Sequence, residues 1–173
     1  MVCICSCDNQ HEQQVPNDAG SSEEENDLYH KMLFIDTMRV IMLKNMNSAI
    51  GHKYFIIHSK NNIRPLLENN RTLTSSFPYS RELYLGTSSV SLTQTLLAGV
   101  NGMEVLGEGE LYLFLKRCHG PGHLGYKEMY QRNKDRFWGV DKYMFYVIEL
   151  TCSICNSGIT VQEYLAAISV FMN

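Results

Sequence analysis

From Leu28 to Ile50 the apolar residues Leu28, Met32, Ile35, Met38, Met42, Met46 and Ala49 recur at spacings of three and four, which predicts a helix with one apolar face. Asp27 is placed to cap it and Gly51 to stop it. Its methionines give an adaptable packing surface, suited to a core face or to a protein partner. The texture then changes. Tyr54–Phe55–Ile56–Ile57 is a short β-favouring run, and Asn61 to about Asn70 predicts a short helix with Pro65 in its first turn. Glu82–Thr87 reads as a strand ending in a glycine turn, and Ser91–Ala98 as a helix with Gly99 beyond its end. Glu110–Lys116 and Lys142–Thr151 read as strands and Tyr126–Trp138 as a polar, aromatic-studded helix, with Thr160–Phe171 as the last segment. Strands alternate with helices but are too few for a doubly wound sheet. The expected class is α+β, a small mixed or antiparallel sheet with packed helices.

Composition divides the chain. Residues 8–27 are rich in Asn, Gln, Ser, Glu and Gly and nearly devoid of apolar side chains. Such a segment buries too little surface to offset its ordering entropy, so residues 1–27 are expected to be a disordered acidic leader and 28–173 one domain. The net charge of −3 conceals an asymmetry, because residues 1–27 hold seven acidic residues and no Lys or Arg. The remaining 146 residues carry 11 acidic residues against 15 basic ones, a surplus well short of a nucleic-acid-binding signature. No run approaches the roughly 20 apolar residues of a membrane span, and the start of the chain lacks the basic flank and apolar stretch of a signal peptide. A cytoplasmic protein is expected.

Three segments could carry chemistry. In Tyr84–Leu85–Gly86–Thr87–Ser88 a strand runs into a glycine turn, where backbone approaches a ligand closely and the Thr87 and Ser88 hydroxyls can hold ribose or phosphate oxygens. The blander alternative is a strand end with a serine helix cap. Gly107–Glu108–Gly109–Glu110–Leu111–Tyr112 feeds a glycine turn into a strand whose Tyr112 can stack a flat ring, or simply fill the core. Glu108 and Glu110 would share one face of that strand, as part of a solvated turn. Gln162–Glu163–Tyr164 places a carboxylate among apolar neighbours if it is a strand. Thr160–Val161–Gln162–Glu163 is equally a capping box, which would put Glu163 in a terminal helix.

In this order the three segments resemble the ADP-ribosyltransferase fold, in its poly(ADP-ribose) polymerase-like branch. The matching pieces are Leu83–Ser88, the Ala98–Gly99–Val100 helix end, Gly107–Leu113, the strand Met144–Leu150 and Gln162–Glu163–Tyr164, together about residues 80–170. The resemblance implies a transferase, formally a glycosyltransferase, that uses NAD. Gly86, Thr87, Ser88 and Tyr112 would bind the cofactor, and Glu163 would be the catalytic carboxylate stabilising an oxocarbenium-like state. The family's ribose-holding histidine falls on Leu85, and one extra residue separates Gly109 from Tyr112. Those departures leave turnover open and admit a degenerate, non-catalytic member, or a non-enzymatic interaction module whose protein partner meets helix 28–50.

A separate constellation is metal-like. His119 and His123 are four apart, Cys152 and Cys155 form Cys-x-x-Cys, and both are zinc-ligand spacings in glycine-rich surroundings. The four can form one tetrahedral structural site only if the two loops lie on the same side of the fold. A separation above about 10 Å would end that reading. Otherwise Cys118 and Cys152 are buried strand residues and the histidines lie in surface loops. Cys3, Cys5 and Cys7 are candidate S-acylation sites, which alone would bring the chain to a membrane, or are exposed reduced thiols.

Overall fold

The computed structural model describes residues 21–69, 83–87, 95–99, 101–156 and the single positions 163, 166 and 169. Among them are five helices and one two-stranded antiparallel sheet, so the class is α+β with helix dominating.

Helix α1 spans Ser21–Lys44 and α2 spans Ala49–Glu68. The helix expected over 28–50 is thus divided, and it starts seven residues earlier, inside the acidic stretch. Asp27 is an interior residue of α1 and not its cap. The buried face of α1 is Phe34, Thr37, Met38, Ile41 and Met42, while Leu28 and Met32 are exposed. Gly51 does not stop α1. It lies in the first turn of α2, where a Cβ would stand 2.1 Å from the Asn45 carbonyl oxygen, so the tight 45–48 turn requires glycine there. Ser48 caps α2 by accepting from the Gly51 amide. Tyr54–Ile57 lies inside α2 and not in a strand. Its residues Tyr54, Ile56 and Ile57 are all fully buried, and a short apolar run reads alike in a strand and in a helix enclosed on most sides. Pro65 lies near the C-terminal end of α2 and not in a first turn.

Strand β1 (Leu83–Thr87) pairs antiparallel with β2 (Thr95–Gly99), with Leu85 opposite Leu97. The first of these strands was expected. The second falls where a helix was expected over 91–98, and residues 91–94 lie outside the described residues. The chain after β2 returns along it: the Val105 amide donates to the Leu97 carbonyl at 2.8 Å, and the Trp138 amide donates to the Glu104 carbonyl at 2.9 Å. Trp138 is thereby drawn over β2 at Gly99.

Helix α3 spans Glu108–His119, α4 Tyr126–Asn133 and α5 Lys142–Thr151. The strands expected over 110–116 and 142–151 are therefore helices. In α3 the buried residues Leu111, Tyr112, Leu115 and His119 follow a helical period. The Glu110 carboxylate accepts from the Gly107 amide at 2.6 Å and closes the first turn, so the glycine–acid segment is a helix start. Asp141 caps α5 by accepting from the Lys142 amide at 2.7 Å. Tyr143, Met144, Phe145, Val147 and Ile148 of α5 are all buried, because this helix packs against α1, α3 and α4. Helix α4 stops five residues short of Trp138, and Asp135 beyond it has φ of 68°.

Glu108 joins three helices. Its carboxylate accepts from Arg39 of α1 at 2.8 and 3.2 Å and from the Tyr54 hydroxyl of α2 at 2.9 Å, and it lies 2.9 Å from His58 Nδ1. Burial acts to raise its pKa, but the hydrogen bonds from Arg39, Tyr54 and His58 outweigh burial and hold it below the usual value of 4.5.

Two outcomes follow from this packing. A Cβ on Gly99 would stand 2.0 Å from the Trp138 ring, so Gly99→Ala is expected to cost about 1–3 kcal/mol and to shift the emission of this sole tryptophan. Unchanged emission and an unchanged unfolding midpoint would contradict it. Because the Glu108 pKa is depressed in the folded chain, its stabilisation is complete above the unfolded value near 4.5 and disappears as pH falls through the folded value. Glu108→Gln should lose about 1–3 kcal/mol at neutral pH and less at acid pH, read from urea midpoints across that range.

Candidate metal centre

His119 is the last residue of α3 and is buried. The chain then reverses through Gly120 and His123, both at positive φ, and the Leu124 amide returns to the His119 carbonyl at 3.0 Å. This turn brings His123 back beside His119, with ring centroids 4.9 Å apart. Cys152 follows the last residue of α5. The Asn156 amide donates to the Cys152 carbonyl at 3.0 Å, and the Asn156 side chain donates to the Glu149 carbonyl at 2.7 Å. These bonds fold 152–156 into a turn that carries Cys155 towards Cys152. The Glu149 carboxylate also accepts from the Tyr126 amide, so the end of α5 fixes the start of α4 as well.

The two pairs meet. One ligand atom from each of His119, His123, Cys152 and Cys155 lies within 4.8 Å of all the others. His119 Nε2 and His123 Nδ1 are 3.1 Å apart. Cys155 Sγ is 3.3 Å from His119 Nε2 and 3.5 Å from His123 Nδ1, and Cys152 Sγ is 3.4 Å from His123 Nδ1. Tetrahedral zinc, with bonds of about 2.0–2.1 Å to nitrogen and about 2.3 Å to sulfur, has edges of about 3.3 Å between nitrogens and about 3.6 Å between nitrogen and sulfur. The observed separations lie close to those edges.

The surroundings suit a cation. His119 Nδ1 is 2.9 Å from the Leu124 carbonyl oxygen, which can only accept, so the proton sits on Nδ1 and the Nε2 lone pair faces the cluster. Burial, and after it the neighbouring Cys152, push the Cys155 thiol up to about 11. A bound divalent ion reverses that balance, because it replaces repulsion between the ligand lone pairs with attraction to a common centre. Two imidazoles and two thiolates are a zinc-type set, and four protein ligands close the coordination sphere, as in structural sites. His119, His123 and Cys152 also form one wall of a cavity of about 450 Å³, whose other lining includes His30, Tyr112 and Lys116.

The residues expected to bind a nucleotide are dispersed over different elements. Tyr112 stands on α3 and not on a strand. It is 2% exposed, its ring packs against Phe34 at 5.8 Å, and its hydroxyl donates to Asp27 Oδ1 at 2.8 Å. Lys116 also binds Asp27, and Asp27 is held below the usual carboxylate range chiefly by that bond and by the one from Tyr112. Gly86 lies in β1 with Tyr84 and Ala98 as its near neighbours, and Leu85 beside it is half-buried. Thr87 ends β1, and Ser88 lies outside the described residues. Glu163 is helical and exposed, so of its two expected settings the helix is the one found. Cys118 is half-buried on α3 and takes no part in the cluster. Cys3, Cys5 and Cys7 lie outside the described residues, among which no helix is long and apolar enough to cross a membrane. The Leu124 carbonyl and Glu149 were not foreseen. Glu149 had a signal, a carboxylate three residues before Cys152, whereas a backbone carbonyl has none in a sequence.

A chain purified without a histidine tag should carry one zinc, and His119→Ala or Cys155→Ser should weaken zinc binding by at least about 10-fold in chelator competition. Equal competition curves for the wild type and both variants would exclude this centre.

Comparison with known proteins finds no matching family model, curated protein or solved structure.

Proposed function

We propose that this chain is a non-enzymatic interaction module stapled by zinc, in which the metal locks the end of α3 to the end of α5. The observation that carries the reading is the convergence of four ligand atoms from His119, His123, Cys152 and Cys155 within 4.8 Å. A ligand set supplied entirely by protein leaves no open position for substrate, which favours a structural over a catalytic metal.

The surface supports the interaction half of the reading. Helix α1 is apolar on more than its buried side: Leu28, Tyr29, Met32 and Leu43 are each more than half exposed. Exposed apolar side chains in number on one helix are what an interaction surface offers and what an isolated soluble domain minimises. A flexible methionine within that face suits an adaptable contact.

Removing zinc should lower the unfolding temperature, because an ion that binds only the folded chain contributes about 2.7 kcal/mol when its free concentration is 100 times Kd. The expected result is destabilisation by chelator that added zinc reverses. Proximity labelling in cells should then give a set of neighbours for the wild type that Met32→Ser with Leu43→Ser depletes, with zinc content unchanged. Nicotinamide release from NAD by the purified chain would overturn the non-enzymatic reading, and a chelator-insensitive unfolding curve would overturn the staple.

A further inference from the structure

The two cysteines of the cluster differ from its histidines in that two thiols close together can join covalently. They stand three residues apart in one turn, which the bond from the Asn156 amide to the Cys152 carbonyl closes at 3.0 Å. Their sulfurs belong to a set of atoms within 4.8 Å of one another. A disulfide needs Cα atoms about 4.4–6.8 Å apart and sulfurs at about 2.05 Å, a closure that a four-residue turn reaches by side-chain rotation. Cys155 is exposed, whereas His119 behind it is buried, so a small solute arriving from solvent meets a cysteine sulfur first.

We propose that Cys152 and Cys155 form a redox modification site, at which a peroxide converts the zinc dithiolate to a disulfide and ejects the metal. The proposal rests on the zinc-staple reading. The exposed Cys155 sulfur attacks one oxygen of hydrogen peroxide, the O–O bond breaks, hydroxide leaves and a sulfenic acid forms. The Cys152 thiolate then attacks the Cys155 sulfur and displaces the second hydroxide, and the S–S bond forms. Two thiolates lose two electrons in total, and one peroxide gains them to give two hydroxides. The disulfide has no thiolate charge to offer a cation, so zinc retains only two neutral imidazoles and departs. A thiol reductant with added zinc reverses the sequence.

The consequence is mechanical. With zinc gone, the 119–123 turn and the 152–155 turn lose their common centre, and both belong to the wall of the cavity of about 450 Å³ that also meets α1 through His30. Oxidation therefore acts where α1, α3 and α5 meet. Cys118 is the internal control in the wild type: it is half-buried on α3 and outside the cluster, so it has neither a metal nor a second thiol beside it to close a bridge.

The test uses the full chain with Cys3, Cys5, Cys7 and Cys118 changed to Ser, alongside the wild type. Zinc per chain is measured first, and hydrogen peroxide is then added while a chromogenic chelator follows metal release. The expected result is release of all bound zinc in step with a mass lower by two hydrogens. A non-reducing peptide map should join Cys152 to Cys155, and dithiothreitol with zinc should restore the starting species. Zinc that stays bound under peroxide, or leaves with sulfinic acid on Cys155 and no bridge, overturns the switch and leaves the staple standing. A chain that holds no zinc before peroxide is added overturns the staple itself.

Discussion

A single half-buried carboxylate sets the direction of α3. Glu108, with its side chain 13% exposed, gathers Arg39 from α1 and Tyr54 and His58 from α2 at the first turn of the helix. Two residues on, Glu110 accepts from Lys60 of α2 at 2.6 Å as well as from its own helix start. An ionised group at that depth is tolerated because donors surround it, and a buried charge satisfied in only one geometry selects that geometry. A 12-residue helix is about 18 Å long, so pinning its N-terminus fixes where its last residue lies. That last residue is His119. The site at one end of α3 therefore depends on a charge cluster at the other.

Helix α5 supplies the second coordinate. Six of its side chains are buried and the helix packs against α1, α3 and α4, so apolar packing positions its axis. The chain leaves it through the turn that presents Cys152 and Cys155. His123 and Cys152, 29 positions apart, bound a loop whose ends a metal would close, limiting the freedom of the unfolded chain while adding bond energy to the folded one. The arrangement divides the work: charge orients α3, burial orients α5, and a metal held by the four candidate ligands would join their C-terminal ends.

The candidate ligand set was legible because ligand spacing is a local property. His-x-x-x-His and Cys-x-x-Cys each name a pair that one turn can converge, and the requirement that both loops share one side of the fold is met. The helix pattern of α1 was legible for the same reason, although its buried face is turned towards Phe34 and Ile41, away from Leu28 and Met32. The β1 strand was legible from its Leu83–Tyr84–Leu85 run, although Gly86, expected to turn the chain, pairs with Leu96 inside the strand. Leu111–Leu115 and Tyr143–Ile148 were not, because an unbroken apolar run carries no period. A helix enclosed by neighbours and a strand buried on both faces give the same text. Only the caps could have decided it. Asp141 stands immediately before the second run, and Glu110 follows three residues after Gly107 at the start of the first.

Those caps also bear on what the glycine-rich segments do. Gly107–Glu108–Gly109–Glu110 has the composition of a ligand-cradling turn, yet its two carboxylates are engaged within the fold: one closes the helix start and receives Lys60, the other receives α1 and α2. Tyr112 has likewise given its ring to Phe34 and its hydroxyl to Asp27. A side chain whose polar atom and apolar surface are both committed internally has little left for a ligand, since binding would first have to break those contacts. His123, Cys152 and Cys155 are the reverse case. Their ligand atoms turn inward and contact one another at 3.3–3.5 Å, and imidazole nitrogens and thiol sulfurs gathered around one point are an arrangement that a cation can complete.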